Sequence, residues 1–396
     1  MIDIDLFAGA GGLALGLHMA GFKPVDLYEL DSTACRTLRT NASADDGILA
    51  GTVYETDVKT VDWGQVSDSV RLLAAGVPCQ PFSLGGKHLA FADDRNLFPD
   101  FFRAVRELQP ATILLENVKG LLRKNFAPYF EYILRQVECP IIQPKKGESW
   151  QAHNQKIRKH QCSVTYSPLY QVAWRLLDAA DFGVPQNRQR VFIVATRYDQ
   201  PNYNFPPPTH SKEALLSSQA SGEYWKRHGL SKSRSLQRNS ISEIQLPLAI
   251  SASRQEQAKL AWVTVRDALK GLPCPGSTEE GAWVNHWAIP GARSYAGHSG
   301  SMLDWPAKTI KAGVHGVPGG ENTIIEDTGH VRYFTLREIA RIQSFPDNYF
   351  FEGARIHVTR QLGNAVPCGL AAAVAHPLRE LFPAVSAAKA SGGHLK

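Results

Sequence analysis

Two side chains with reactive chemistry follow predicted strands in the first third of the sequence. Cys79 stands after Pro78 at the end of the apolar run 72–77, and Glu116 ends the run 112–116. Ligands of open α/β sheets bind beyond the carboxyl ends of the strands, so we expect the thiol and the acid to face one crevice. A thiolate is a nucleophile, and burial raises the pKa of a carboxylic acid until it can donate a proton near neutrality. Taken singly, a buried structural cysteine and a solvated strand-end acid remain the alternatives.

A glycine-rich turn precedes the first predicted helix. Gly9-Ala-Gly-Gly-Leu-Ala14 follows the apolar run 2–7, and Glu29 ends a second apolar run about twenty residues later. Glycines at this position let the backbone approach a nucleotide at a helix N-terminus, and the acid can bind ribose hydroxyls. The pattern predicts a nucleotide site, which a nicotinamide cofactor fits as well as S-adenosylmethionine does. A plain glycine turn is the alternative.

Two further polar motifs lie later in the chain. Gln186-Asn-Arg-Gln-Arg190 precedes the apolar run 191–196, and strand alternation puts Arg188 and Arg190 on one face. Two guanidinium groups there could hold a phosphate or a base carbonyl, with an ion-paired sheet edge as the alternative. Gln361-Leu-Gly-Asn-Ala-Val-Pro367 precedes the last predicted helix, where Asn364 either touches a ligand or caps that helix.

Alternation of short apolar runs with helix-length amphipathic segments predicts the scaffold for these residues. It indicates an α/β fold with a doubly wound, mostly parallel sheet of the Rossmann-like kind. The predicted strands are 2–7, 25–29, 72–77, 112–116 and 191–196, and the predicted helices are 13–20, 32–41, 97–108, one starting at Thr335, and 369–381.

The proline-rich joint 204–210 suggests a domain boundary. We expect a catalytic and cofactor-binding domain at 1–200, interrupted by a basic insertion near 143–162. A smaller, loop-rich recognition domain should follow at 201–334, its fold not readable from the sequence. Residues 335–360 are expected to form a hinge and helix joining the domains, and 361–396 should return to the first domain.

Composition narrows the class of protein. The 396 residues are 43% hydrophobic and 20% charged, which excludes a disordered or collagen-like chain. No run approaches the ~20 apolar residues of a membrane span, and the acidic start lacks the pattern of a secretory signal, so we expect a cytoplasmic location. The net charge of +6 permits a polyanionic partner without requiring one. Six widely spaced cysteines suggest neither a disulfide framework nor a metal site.

Five of these motifs together resemble those of the DNA (cytosine-5)-methyltransferases of bacterial restriction–modification systems. Residues 5–12 are similar to the family's cofactor loop, Gly76-Val-Pro-Cys-Gln-Pro-Phe-Ser83 to its nucleophile loop, and Glu116-Asn-Val118 to its acid motif. The motifs at 186–190 and 361–367 match two more, in the family's order. The resemblance runs to about residue 381 and leaves out the basic insertion, much of 211–290 and the C-terminal tail.

The resemblance implies specific roles in chemistry. Cys79 becomes the nucleophile that adds to C6 of a cytosine, and Glu116 the acid at N3. Arg190 would hold the base carbonyl and Arg188 the nearby backbone. The S-adenosylmethionine site would comprise Phe7, Gly9, Gly11, Glu29, Leu30, Asp57, Val58, Pro78, Leu97, Asn364 and Val366. Leu30 stands where many members have an aromatic residue over the adenine.

The resemblance also implies a DNA partner. The substrate would be duplex DNA with one cytosine flipped out of a specific sequence, bound by the enzyme as a monomer, and a cognate restriction endonuclease would be the functional partner. The expected DNA contacts are Gln80, Ser83, Lys87, Arg293, Lys308, Thr309, Lys311 and His315. Three other functions stay open from the residues alone: an RNA cytosine-5 methyltransferase, a nicotinamide-dependent dehydrogenase and a non-catalytic DNA-binding protein.

Overall fold

The structure is a computed structural model of the 396-residue chain. It describes residues 1–23, 25–42, 47–78, 96–163, 167–230, 258–277, 279, 282–293, 300–312 and 322–382. Within these residues no helix is both long enough and apolar enough to cross a bilayer.

Seven strands form the central sheet, in the order β3-β2-β1-β4-β5-β7-β6. Strands β1 to β5 pair in parallel, whereas β7 runs antiparallel to both β5 and β6. The predicted doubly wound α/β fold is confirmed, with an antiparallel pair at one side. The strands are β1 Ile2–Leu6, β2 Val25–Glu29, β3 Val53–Glu55, β4 Val70–Gly76, β5 Thr112–Val118, β6 Tyr170–Asp178 and β7 Gln189–Arg197.

Helices cover both faces of this sheet. Alternate residues of β4 face opposite sides, with Leu72 in one apolar core and Leu73 in the other. One face carries α1 Gly12–Met19, α2 Ser32–Ala42 and, from the C-terminal region, α11 Cys368–Glu380; the other carries α3 Phe98–Leu108, α4 Ala127–Glu138 and α5 Trp150–Gln161. The sequence did not predict β3, β6 or α4, and it gave no structure for the insertion that forms α5.

Residues after 200 form shorter elements. Two small sheets, of two and three strands, contain β8 His210–Ser211, β9 Leu260–Ala261, β10 Ser301–Met302, β11 Thr323–Ile325 and β12 Val331–Tyr333. Three short helices accompany them: α6 Lys212–Ser221, α7 Glu223–Arg227 and α8 Val265–Leu269. The predicted domain boundaries remain predictions.

The C-terminal region begins where the sequence placed a helix start. Thr335 caps α9 (Leu336–Ile342) through a reciprocal capping box with Glu338. A further helix, α10 Arg355–Asn364, leads into α11, which packs along α1. The chain thus returns to the first sheet, and the predicted helix at 369–381 begins one residue earlier than expected.

Gly16 sets the close approach of α1 and α11. A Cβ at this position would lie 2.3 Å from Ala371 Cβ and 2.8 Å from Cys368 O. Alanine gains about 1 kcal/mol over glycine in a helix, but overpacking costs about 1–3 kcal/mol, so Gly16→Ala should destabilise the protein. We expect a lower melting temperature by calorimetry, whereas Met19→Ala, at an exposed position of α1, should change it little. An unchanged or raised melting temperature in Gly16→Ala would contradict this packing.

Candidate active site

The glycine loop between β1 and α1 is held by a carboxylate from the next strand. Glu29 Oε2 accepts a hydrogen bond from Gly9 N at 2.8 Å, and Oε1 accepts from the backbone of Leu30 and Asp31 at 2.9 and 2.8 Å. Gly9 and Gly11 adopt φ angles of 55° and 81°, which glycine reaches without steric cost. The Glu29 side chain is therefore fixed at the carboxyl end of β2, beside the loop.

Phe7 is strained at the start of the same loop. Its φ is 59°, a left-handed conformation that is unusual for a bulky residue. Such strain persists only where the surroundings enforce it, and it concentrates at ligand sites. The loop geometry thus adds a reason, independent of the sequence motif, to place a ligand next to Phe7.

Asp5 is a buried acid that the sequence reading did not single out as a functional residue. Its side chain is fully buried in β1, and the Ala14 backbone N–H is the one nearby donor, too poorly placed among the described residues for a regular hydrogen bond. Burial, with a smaller contribution from the charge of Glu29, raises the pKa of Asp5 to about 8. Asp5 is therefore a largely neutral acid below this pH, directly before the glycine loop.

Two of the other predicted cofactor residues, Asp57 and Val366, lie near the glycine loop. Asp57 caps the 3₁₀ turn after β3, and Thr56 N bonds Glu29 O, so Asp57 follows closely on the end of β2. Val366 also lies at the loop, since a Cβ on Gly12 would meet Val366 O at 2.3 Å. Exposure varies within the set: Val58 and Val366 are buried, Phe7, Pro78 and Leu97 are half-buried, and Leu30 and Asn364 are exposed. Pro367, not Asn364, is the N-cap of α11.

Glu116 and Arg190 form a nearly buried ion pair at the ends of β5 and β7. Arg190 Nε lies 2.9 Å from Glu116 Oε1, with side chains that are 13% and 9% exposed. Burial raises the pKa of Glu116, and the charges of Arg190 and Arg188 partly oppose that rise. The antiparallel register places Arg190 opposite Val118, two residues beyond Glu116. This arrangement holds a carboxyl group that can carry a proton next to a fixed positive charge.

Arg188 differs from Arg190 in its surroundings. Its side chain is 1% exposed and donates to three backbone carbonyls: Ile310 O at 2.9 Å, Gly363 O at 2.7 Å and Ala365 O at 2.9 Å. Strand alternation predicts that Arg188 and Arg190 share one face, but Arg188 directly precedes β7, and its Nη groups are directed at main chain inside the protein. Arg188 positions other segments, and Arg190 alone of the two lies against the acid.

A pair of buried glutamines joins the same segments. Gln186 Nε2 donates to Gln343 Oε1 at 2.9 Å, and Gln186 Oε1 accepts from Ile310 N at 3.0 Å. Gln343 Nε2 in turn donates to Leu362 O at 2.5 Å. The sequence predicts only an amphipathic helix from Thr335 and gives no role to Gln343. The motif that contains Gln186 was the one signal that a polar partner for Gln186 must exist elsewhere in the chain.

The predicted DNA contacts fall into two groups. Arg293, Lys308 and Lys311 are exposed, whereas Thr309 donates to Asn187 O at 2.7 Å and is half-buried. The segment that carries the two lysines and Thr309 is joined to residues 185–187 by backbone hydrogen bonds of Ala307. The other expected DNA contacts, Gln80, Ser83, Lys87 and His315, lie outside the described residues, as does the expected nucleophile Cys79.

Comparison with protein families identifies the class to which this arrangement belongs. The model of the C-5 cytosine-specific DNA methylases matches residues 1–139 and 150–380. The chain belongs to this family. The resemblance inferred from the sequence motifs and the predicted enzyme class, a DNA cytosine-5 methyltransferase, are thereby confirmed.

Named relatives agree with this assignment, and solved structures share the fold. The type II methyltransferase M.NgoMIV of Neisseria gonorrhoeae is 32% identical, over 94% of this chain and 95% of its own length. M.Eco47II of Escherichia coli is 30% identical, over 97% and 80%. The Entamoeba histolytica methyltransferase EhMeth (TM-score 0.57, 14% identity, covering 96% and 98%) and Dnmt2 of S. pombe (0.55, 16%, 96% and 100%) share the fold.

The unpartnered Asp5 predicts a pH-dependent cost to stability. Its folded pKa of about 8 exceeds the ordinary value of 3.8, so the folded protein keeps a proton that the unfolded chain releases between these values. Unfolding free energy therefore falls as pH rises through this window. Asp5→Asn removes the titration and should melt above wild type at pH 8, by about 2 °C or more, with a smaller gap at pH 5.

The control for this prediction lies on the same strand. Asp3 is paired with Arg71 through two hydrogen bonds, so Asp3→Asn should lower the melting temperature at both pH values. If the Asp5→Asn protein showed the same dependence of melting temperature on pH as wild type, Asp5 would not be the titrating group.

Proposed function

We propose that this protein transfers a methyl group from S-adenosylmethionine to C5 of a cytosine within a specific duplex DNA sequence. We further propose that it modifies DNA in a restriction–modification system with a cognate endonuclease, acting as a monomer in the cytoplasm of a bacterium. The main support for this reaction is the buried Glu116–Arg190 ion pair, which lies on the same sheet edge as the glycine loop. The sequence Pro78-Cys79 continues from the end of β4, which pairs with β5 beside Glu116.

The residues around the glycine loop fit S-adenosylmethionine. Glu29 Oε2 uses one hydrogen bond and keeps a lone pair for a ribose hydroxyl. Asp57 Oδ1 accepts from Lys59 N, which leaves its second oxygen for the adenine amine. The carboxylate of Glu29 at the loop also suits a cation. When bound, S-adenosylmethionine supplies a methyl group activated by its positive sulfonium.

The chain's own residues would activate the base. C5 of cytosine is a weak nucleophile, so the Cys79 thiolate first forms a bond to C6, and the displaced electron pair is taken up as N3 gains a proton from Glu116. C5 then carries the electron density of an enamine and can accept a methyl group. Loss of the C5 proton afterwards expels the thiolate, and N3 returns its proton to Glu116. Neighbouring positive charge, which Arg190 provides, would favour the thiolate.

DNA must be deformed for this chemistry. The target base cannot react inside the stacked duplex, so we propose that it flips out into the crevice at the strand ends, at a cost of a few kcal/mol. Arg190 would hold the base carbonyl, while Gln80, Ser83 and Lys87 would contact the DNA around it. Arg293, Lys308, Lys311 and His315 belong to the region proposed to read the sequence. The exposure of the first three supports that role.

Cys79→Ala should abolish methyl transfer while DNA binding persists. The covalent intermediate can be trapped on an oligonucleotide with 5-fluorocytosine at the target, in the presence of S-adenosylmethionine. The C5 hydrogen of cytosine leaves as a proton, but fluorine cannot leave as a cation, so Cys79 stays bonded to C6. Wild type should form a denaturation-resistant complex that maps to the Cys79 peptide by mass spectrometry. The Cys162→Ala protein, changed at an exposed cysteine, should crosslink like wild type. Turnover of Cys79→Ala near the wild-type rate would exclude the thiol mechanism.

Glu116→Gln should reduce kcat by about a hundredfold or more, because it removes a general acid but not a cofactor contact. Affinity for S-adenosylmethionine, measured by calorimetry, should stay close to wild type. The wild-type rate should fall as pH rises above the raised pKa of Glu116, and this limb should be missing from the variant. Weakened cofactor binding with an unchanged kcat would instead make Glu116 a binding residue.

A further inference from the structure

The turn that precedes α5 has no counterpart in the matched family model, which omits residues 140–149. This turn belongs to the basic insertion, for which neither the motifs nor the family resemblance gave a role. Lys145 and Lys146 are both exposed in it. Its position in the fold, however, is well defined by the helix that follows.

Helix α5 is anchored firmly against α4. The Trp150 ring packs on Tyr129 and Tyr132 at centroid distances of 5.3 and 5.7 Å. His153 is fully buried and bridges Tyr132 Oη and Ile142 O, each at 2.9 Å. Because this helix is held by buried aromatic and hydrogen-bonded contacts, the turn before it is a fixed feature of the surface.

The contacts also fix the direction of α5. Its first residue meets the beginning of α4 at Tyr129, and its last, Gln161, donates to Glu138 at the end of α4. The two helices are therefore parallel. Since α4 follows shortly after β5, whose carboxyl end bears Glu116, the turn lies toward the active edge of the sheet. Tyr129 also links this region to Asn96, by a hydrogen bond of 2.8 Å.

Four exposed lysines cluster along this side of the protein: Lys119, Lys124, Lys145 and Lys146, here called the basic ridge. Nearby arginines are neutralised, Arg103 by Glu107 and Arg135 by Glu131. Within the described part of the chain, no ion pair within 4 Å joins a ridge lysine to a carboxylate. One carboxylate lies in the same turn, since Glu148 Oε2 accepts a hydrogen bond from Lys145 N at 2.7 Å and offsets part of the lysine charge. With four lysines against this one acid, the ridge keeps an excess of positive charge beside the active edge.

We propose that the basic ridge binds backbone phosphates of the duplex outside the recognised sequence. The inference rests on the proposed function, since it takes the DNA to lie across the active edge. Lysines suit this task because their ammonium groups act as point charges that contact phosphate without reading bases. The insertion thereby extends the DNA footprint of the enzyme along one flank of its target.

The chain offers a matched control on the same helix. Lys145→Gln/Lys146→Gln removes two ridge charges, while Arg158→Gln/Lys159→Gln removes two exposed charges at the opposite end of α5. Both double variants change the net charge equally and leave the buried contacts of α5 intact. Equal melting temperatures would show that the two proteins are equally folded.

Binding should be measured on two duplexes of different length. Bisulfite sequencing of DNA from the cells that express the protein first identifies the methylated sequence. Duplexes of about 14 and about 34 base pairs are then centred on it, so that at ~3.4 Å per base pair only the longer one extends well beyond the target. For the ridge variant we expect about tenfold weaker binding of the long duplex at low salt and little change on the short one. Its slope of log K against log[salt] should fall by about 1 to 2. The control variant should bind both duplexes like wild type.

The outcomes separate the two proposals. If wild type methylates its target but the ridge variant binds the long duplex as tightly as wild type, the ridge is not a DNA contact. Equal weakening in both double variants would likewise overturn it, because the effect would then report net charge. Absence of 5-methylcytosine in host DNA and of any DNA binding by wild type would overturn the proposed function itself.

Discussion

A buried guanidinium holds the functional parts of this protein together. Arg188 lies inside the molecule without a carboxylate in direct contact, and burial lowers its pKa. Its Nη1 and Nη2 groups donate to three backbone carbonyls, those of Ile310, Gly363 and Ala365, whereas its Nε–H has no partner among the described residues. A buried charge is costly unless its hydrogen bonds are satisfied, so the segments that supply these carbonyls cannot shift without a large penalty. The arginine thus fixes the relative position of three parts of the chain: the residues before β7, the segment at Ile310 and the segment 363–365.

The consequences reach each part of the site. Arg188 directly precedes β7, and Arg190, the partner of Glu116, is the second residue of that strand, so the buried link also fixes the start of the strand that delivers this partner. The segment at Gly363 packs directly on the proposed recognition region, because a Cβ on Gly363 would lie 2.3 Å from Ala312 N. Three residues beyond Gly363, the backbone at Val366 touches the glycine loop through Gly12. Glu116, the glycine loop and the proposed recognition region are therefore linked through one junction.

Much of this could be predicted from the sequence, because buried parallel strands and amphipathic helices leave strong periodic patterns. The end of β5 at Glu116 and the capping of α9 by Thr335 are examples. Strand β6 was missed because it is an edge strand, where exposed Trp174 and Arg175 break the apolar pattern. The direction of β7 and the burial of Arg188 depend on partners far away in the chain, and no local pattern encodes them. Asp5 was read only as part of a motif, since its isolation depends on what surrounds it in three dimensions.

The charges at the active edge are sorted by sign. The carboxylate of Glu29 lies at the glycine loop, whereas Arg190 and the exposed Lys119 lie around the end of β5. A cationic methyl donor would meet the acidic side at the glycine loop, and an anionic nucleic acid would meet the basic side around the end of β5. The methyl group of the donor and C5 of the cytosine must nevertheless come together at the boundary between these two sides. Glu116 occupies that boundary: burial favours its proton, and Arg190 limits how far the pKa rises. A carboxyl group under these opposing influences can both give a proton to the base and take it back, which the proposed reaction requires of a single residue.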